Sequence, residues 1–370
     1  MTAFTPTNHG GTEARSNDQE DSVPPCLRGL WAVWFLLFVL SVSASAQRGG
    51  GAPQGAREVT VTEIPGVVAA GSKWTLAWQG TDNADGVVGT DDGGLLFAQE
   101  QPNRISKLDR NDRVSVLLEN TQGTGAIAID AKGRVLAVER TCTDPGRQPA
   151  DCKQPTIVGV LVPDRKVLAD AFQGKGLGRL NDLVADKKGG VYFTSGGAFY
   201  VNAAGVVTSL GENIRSNGIM LSPDEKVLYV TNGTTILAFD VNADGSTTHR
   251  RDFARLEAGG NGDGMAIDAD GRLYVTSAPG VQVFSNEGKY LGVIPTPRNV
   301  ISVAFAGADK RTLYVVVSGA LGSRRKRIHD AGGRTEQRED DLQTPDGRAR
   351  LCRPREIGPP EGGPYVGQRV

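Results

Sequence analysis

Residues 263–277 read Asp-Gly-Met-Ala-Ile-Asp-Ala-Asp-Gly-Arg-Leu-Tyr-Val-Thr-Ser. Met265 to Ile267 is a short apolar run, and Asp268-Ala-Asp-Gly271 has the chemistry of a tight turn. The aspartates there can bond their own backbone, and the glycine tolerates a positive φ. Leu273 to Ser277 then resumes with β-branched and aromatic residues. The stretch predicts a hairpin of two short strands.

Its second half recurs along the chain. Gly93-Gly-Leu-Leu-Phe-Ala-Gln, Gly133-Arg-Val-Leu-Ala-Val-Glu, Gly189-Gly-Val-Tyr-Phe-Thr-Ser, Lys226-Val-Leu-Tyr-Val-Thr-Asn, Gly271-Arg-Leu-Tyr-Val-Thr-Ser and Arg311-Thr-Leu-Tyr-Val-Val-Val share one pattern. Their starting points are separated by 40, 56, 37, 45 and 40 residues. An earlier strand ending in an Asp-x-x-Gly type of turn precedes four of them, at Ala126–Gly133, Leu183–Gly190, Ile219–Lys226 and Met265–Gly271. A third strand follows some, as in Ile236-Leu-Ala-Phe-Asp-Val and Val281-Gln-Val-Phe-Ser. Repeats of this length made of short strands predict an all-β fold, a six-bladed β-propeller with four-stranded blades. Residues 57–321 would hold it, at about 44 residues per blade. Propellers commonly close by pairing their two ends. The alternating Glu58-Val-Thr-Val-Thr-Glu-Ile64 is expected to supply the outer strand of the last blade, whose third strand has no obvious sequence.

The flanks differ in character. Leu30 to Leu40 is an apolar run of 11 residues, preceded by Arg28 and followed by Ala44-Ser-Ala46. It suits the core of a signal peptide and is short of the roughly 20 residues a membrane span needs. Residues 1–46 are therefore expected to be a leader with a long n-region, cleaved near Ala46-Gln47, and an uncleaved anchor is the alternative. Export to a secreted or periplasmic location follows, with 47–56 a flexible linker. Residues 322–370 are rich in Arg, Pro and Gly and lack any period of 2 or 3.6, which reads as a disordered tail. A reading-frame slip and a genuine basic tail both explain it.

With 41 basic and 42 acidic residues the net charge is −1, which removes the electrostatic footprint of a nucleic-acid binder. The chain has 49 glycines, as many tight turns require, and only three histidines, which leaves little for a His-based zinc site or a Ser-His-Asp triad. Ser195 and Ser216 lie outside any Gly-x-Ser-x-Gly elbow. Cys142 and Cys152, ten residues apart in an exported chain, are expected to form a disulfide that pins a loop inside the 56-residue interval. A zinc ligand pair is the alternative. Cys26 and Cys352 fall in the leader and the tail. Asn232-Gly-Thr234 fits either a glycosylation acceptor or a hairpin turn.

Polar residues recur just before the first strand of successive repeats, in Asp85-Gly-Val-Val, Gly178-Arg-Leu-Asn-Asp-Leu, Ser216-Asn-Gly-Ile-Met and Gly262-Asp-Gly-Met-Ala-Ile-Asp. Each one alone is first a turn former. At equivalent positions around a propeller they would converge as an oxygen cage suited to a hard cation. In these motifs, and in Leu221-Ser-Pro-Asp-Glu-Lys-Val-Leu-Tyr-Val-Thr, the chain resembles the SMP-30/gluconolactonase/LRE-like family over most of 85–318. The resemblance implies a six-bladed propeller whose members include metal-dependent lactonases. It implies one divalent cation held by Asp85, Asn217 and Asp263, with Ca²⁺ the first expectation and Zn²⁺, Mg²⁺ or Mn²⁺ the others. It also implies that Arg179 and Asn181 face the substrate. The family's first-blade ligand is usually Glu in Glu-Gly-Pro, where this chain has Asp85-Gly-Val, and Glu100 is a second candidate for that carboxylate.

The expected function is an exported hydrolase of a sugar lactone or similar small lactone, in which Asp263 also serves as the catalytic residue that accepts a proton from attacking water. Its partner is a small-molecule lactone, with no nucleic acid and no stable membrane span after cleavage. The oligomeric state is left open. A non-catalytic exported propeller that binds a small ligand or a protein is the alternative, since propellers host many unrelated functions.

Overall fold

The computed structural model describes residues 57–80, 83–140 and 154–317 in full, together with the backbone of 350–354. It is an all-β propeller, and no helix occurs among the described residues. Five four-stranded antiparallel sheets are each built from one continuous stretch, 87–119, 124–169, 183–209, 219–255 and 265–295. Their inner strands are Val87–Gly89, Thr124–Ile129, Leu183–Ala185, Ile219–Leu221 and Met265–Ile267. The six recurring segments are in every case the second strand of a sheet, from Leu95–Gln99 to Thr312–Val317.

A further four-stranded sheet is composite, in the order Trp74–Gln79, Arg350–Pro354, Thr312–Val317 and Val300–Ala306. A segment from before the first sheet and one from after the last thus meet in one sheet. Its inner strand, Val300–Ala306, packs against Val87–Gly89 on one side and Met265–Ile267 on the other.

Period-two side chains on the second strands explain the stacking. Leu95 and Phe97 pack with Ala304, Ala306, Tyr314 and Val316 of the composite sheet. Leu96 and Ala98, on the opposite face, pack with Ile127, Val135 and Ala137 of the second sheet. Similar clusters join each sheet to the next, so every inner and second strand is buried on both faces. The Asp-x-x-Gly turns form as expected. The Oδ1 atoms of Asp130, Asp186 and Asp268 each accept two backbone N–H groups from the turn, at 2.7–3.0 Å.

Two expectations about closure change. Residues 58–64 are not the outer strand, which is Trp74–Gln79 instead. Val61 and Ile64 are drawn into the apolar cluster between the fifth and composite sheets, and Arg57 anchors the segment to the carbonyls of Ala278, Pro279 and Thr296. Within the segment read as a tail, Arg350–Pro354 is a strand between Trp74–Gln79 and Thr312–Val317. A strand with a backbone partner on both edges can be held by its ladder without a side-chain period of its own. The expected leader, the linker, the Cys142–Cys152 loop and the remainder of 322–370 lie outside the described residues.

Candidate functional site

Four inner strands are each preceded, two residues earlier, by an aspartate or asparagine, namely Asp85, Asn181, Asn217 and Asp263. Their backbones are tied to the second strand of the same sheet. The amides of Asp85, Asn181 and Asp263 donate to the carbonyls of Ala98, Thr194 and Thr276 at 2.8–2.9 Å, and that of Asn217 donates to Thr231 Oγ1 at 3.1 Å. Neighbouring sheets are tied as well. Gly86 N donates to Gly125 O at 2.8 Å, Gly264 N to Ile301 O at 3.0 Å, and Thr194 Oγ1 to Asn217 O at 2.5 Å.

The glycines after Asp85, Asn217 and Asp263 do not serve turns. None of Gly86, Gly218 and Gly264 has a positive φ. A Cβ on Gly218 would lie 2.0 Å from the Asp263 carbonyl oxygen, and one on Gly86 would lie 2.6 Å from Ala126 Cα. The Asp-Gly and Asn-Gly pairs therefore exist because adjacent sheets meet backbone to backbone at the axis.

This packing gathers charge. Arg140, at the end of the second sheet's second strand, is almost fully buried. Its guanidinium pairs with Asp85 through Nη2 and with Glu100 through Nε and Nη2, and Nη1 donates to the Leu180 carbonyl at 3.1 Å. The planar fork suits this double carboxylate grip, and the neighbouring acids keep the guanidinium firmly protonated against burial. Gly125 gives it room, since a Cβ there would fall 2.0 Å from Arg140 Cζ.

Asp263 is held well above the ordinary carboxylate range, first by burial and then by the Asp85 and Asp182 carboxylates, while Arg140 and a hydrogen bond from Asn217 oppose the rise. Burial likewise pushes Asp182 up to about 7, although its oxygens accept the amides of Leu183 and Ile219 at 2.9 and 3.1 Å. Asp85, Glu100, Asp182 and Asp263 thus face a single guanidinium.

Among the described residues no three His, Cys, Asp or Glu side chains converge as a closed metal cage. The donor chemistry nevertheless fits a hard divalent cation. Half-buried oxygens from Asp85, Asn217 and Asp263 sit in a surplus of negative charge, with no imidazole or thiol grouped with them among the described residues. The expected ligands are brought together, with one alteration: Asp85 and its rival Glu100 are both engaged by Arg140. Asn181 lies half-buried beside them. Arg179 is exposed, so the cluster's positive charge comes from Arg140 instead.

Sequence reasoning assigned no role to Arg140 or Asp182, nor to Thr194, Thr231 and Thr276. The threonines had a signal, because each ends a Tyr-x-Thr or Tyr-Val-Thr repeat. Arg140 had none, since it precedes a segment with no repeat at all. Two serines are spoken for: Ser195 Oγ donates to the Leu177 carbonyl, and Ser216 Oγ to that of Gly197 at 2.6 Å.

A gluconolactonase of Zymomonas mobilis is 30% identical over 192 residues, 44% of this chain and 54% of that protein. The chain thus spans about half the length of that relative. A gluconolactonase structure from Xanthomonas campestris superposes with a TM-score of 0.61 at 20% identity, covering 83% of this chain and 97% of the other. Regucalcin from Agrobacterium tumefaciens, a calcium-binding protein, superposes with a TM-score of 0.55 at 17% identity, covering 82% of this chain and 99% of the other. At those identities the two structures speak to the fold alone. The SMP-30/gluconolactonase/LRE-like family profile matches residues 84–319, well over half of the chain. On that match, and on a propeller whose sheets bring Asp85, Asn217 and Asp263 to one axis, the chain belongs to the SMP-30/gluconolactonase/LRE-like family.

Proposed function

We propose that this chain is an exported lactonase that opens a small lactone, with a sugar lactone the first expectation, at the axial carboxylate cluster. The observation that carries this reading is that cluster, in which four acids, Asp263 among them, share the single Arg140 guanidinium, in a family that includes gluconolactonases. The composite sheet is read as the sixth blade, since its inner strand touches both the first and the fifth sheets. Export rests on the leader expected in residues 1–46, and the Cys142–Cys152 disulfide belongs to the same reading.

Asp85, Asn217 and Asp263 would hold one divalent cation, calcium by first expectation, and its chemistry when bound is electrophilic polarisation of the lactone carbonyl. The protein's own groups do the remaining work. Arg179 reaches from the rim and Asn181 from the half-buried wall to bind the ring and hydroxyl oxygens of the substrate. Water adds to the carbonyl carbon and gives a proton to an Asp263 carboxylate oxygen, which the neighbouring Asp85 and Asp182 carboxylates make a better proton acceptor than an isolated aspartate. The ring C–O bond then breaks, the leaving oxygen takes up that proton, and a hydroxy acid departs. Arg140 holds Asp85 and Glu100 in place.

The test is hydrolysis of gluconolactone and related lactones by the purified exported protein, with calcium, magnesium, manganese or zinc supplied, beside Asp263→Asn. Turnover that Asp263→Asn abolishes is expected. Absence of turnover with every ion and lactone would overturn the reading.

A further inference from the structure

None of the residues implied for the cation or the substrate is a buried arginine, yet Arg140 sits among the axial acids. Three features show that it is built in. Arg140 is 1% exposed, so its charge is wholly committed to its partners. It reaches the axis through space that only a glycine at 125 leaves open. It bridges three sheets, from the second to Asp85 and Glu100 of the first and to the Leu180 carbonyl beside Asn181 of the third.

The consequence concerns Asp85. Its carboxylate has two oxygens, and Arg140 takes Oδ2. A cation approaching Asp85 meets an oxygen already neutralised, with a like charge directly behind it. We infer that Arg140 is a resident counter-cation that competes with the divalent ion for Asp85, holding the cluster together when the ion is absent and weakening the ion's grip when it arrives. Arg140 is thus a positioning residue that acts through Asp85. This inference rests on the proposed cation site and concerns how tightly that site binds.

A purely structural arginine and a competing one predict opposite signs. Loss of a structural arginine loosens the ligands and weakens the ion. Loss of a competitor frees Asp85 and tightens it. Removing Arg140 alone takes the shared counter-charge from half-buried Asp85 and buried Glu100 and endangers folding. The decisive variant is therefore Arg140→Met with Glu100→Gln, which deletes one positive and one negative charge and keeps the net charge of the cluster.

The experiment is titration calorimetry with calcium alone at pH 8, and a thermal melt with and without calcium. In the double variant the calcium dissociation constant is expected to fall at least about tenfold, because Asp85 then gives both oxygens to the ion. Arg140→Lys keeps the charge and is expected to stay near the wild-type affinity. Glu100→Gln leaves the guanidinium to Asp85 alone and is expected to weaken binding.

A double variant that folds and binds calcium no tighter than wild type overturns the inference, even where lactone turnover upholds the proposed function. A wild type that binds no calcium beside a double variant that does supports it in its strongest form. Should neither bind, both this inference and the cation site fall together. Lactone turnover by the same preparations, scored separately, tells the two apart.

Discussion

Asp263→Asn isolates charge from shape at the centre of the site. The substitution keeps the size of the side chain and leaves an amide oxygen at the same place, while the close approach of Gly218 to the Asp263 carbonyl is a backbone matter and survives. Two effects of opposite sign follow. In the ion-free protein Asp263 is strained by burial and by Asp85 and Asp182. Its neutral replacement should leave the melting temperature at pH 8 equal to or above that of wild type.

Toward a divalent ion the loss is large. A unit-charge pair about 4 Å apart is worth about 4 kcal/mol at an effective dielectric near 20. An ion of charge two doubles that, and hydration together with the retained amide oxygen returns much of it. A net loss of about 2.8 kcal/mol is expected, about 100-fold in dissociation constant. At calcium equal to about 100 times the wild-type dissociation constant, wild type gains about 2.7 kcal/mol of stability and the variant about 0.4 kcal/mol. For a chain of this size the difference appears as a calcium-induced melting shift larger in wild type by roughly 3–4 °C. Scanning calorimetry with and without calcium reads both effects in one experiment. An unchanged calcium shift in a folded variant would refute the reasoning and return Asp263 to a structural role.

Arg179→Ala removes an exposed side chain, so it should leave the melting temperature unmoved while raising KM for the lactone about tenfold; equal loss in KM and stability would contradict its placement at the substrate. Asp182 sets a pH dependence whose sign is definite. Its folded pKa, about 7, exceeds that of an unfolded aspartate, 3.8, so the native state binds the extra proton. From this group the ion-free protein should lose stability as pH rises from 4 through 7, and saturating calcium should flatten that slope in melts across the range. Gly125→Ala places a Cβ against the Arg140 guanidinium and should destabilise by about 2 kcal/mol or more in urea unfolding. Thr194→Val deletes the hydroxyl that joins the third sheet to Asn217 O and should cost about 1–2 kcal/mol and lower turnover as well.

The repeating hairpin was legible because it depends on short-range chemistry. Period-two apolar residues such as Leu95 to Ala98, and turns such as Asp268 to Gly271, carry their conformation in neighbouring residues. That alone specified the hairpins, their approximate spacing and the propeller class. Recurrence before four of the first strands also marked Asp85, Asn181, Asn217 and Asp263 as candidates, and the family resemblance then singled out Asp85, Asn217 and Asp263 as the ligand set.

Other features arise only when distant segments meet. The role of Gly86, Gly218 and Gly264 looked like turn chemistry until the adjacent sheets were seen to press on them. Trp74–Gln79 rather than residues 58–64 closes the composite sheet, because Val61 and Ile64 find a deeper apolar seat and a strand's edge is filled by whichever backbone reaches it. Arg350–Pro354 joins that sheet through ladder bonds that leave no trace in side-chain pattern. Arg140 is the sharpest case. Its neighbours in sequence say nothing of Asp85, 55 residues away, or Glu100, 40 away. The charge state of the axis is a sum over residues from four sheets, and only the closed fold brings them within range of one another.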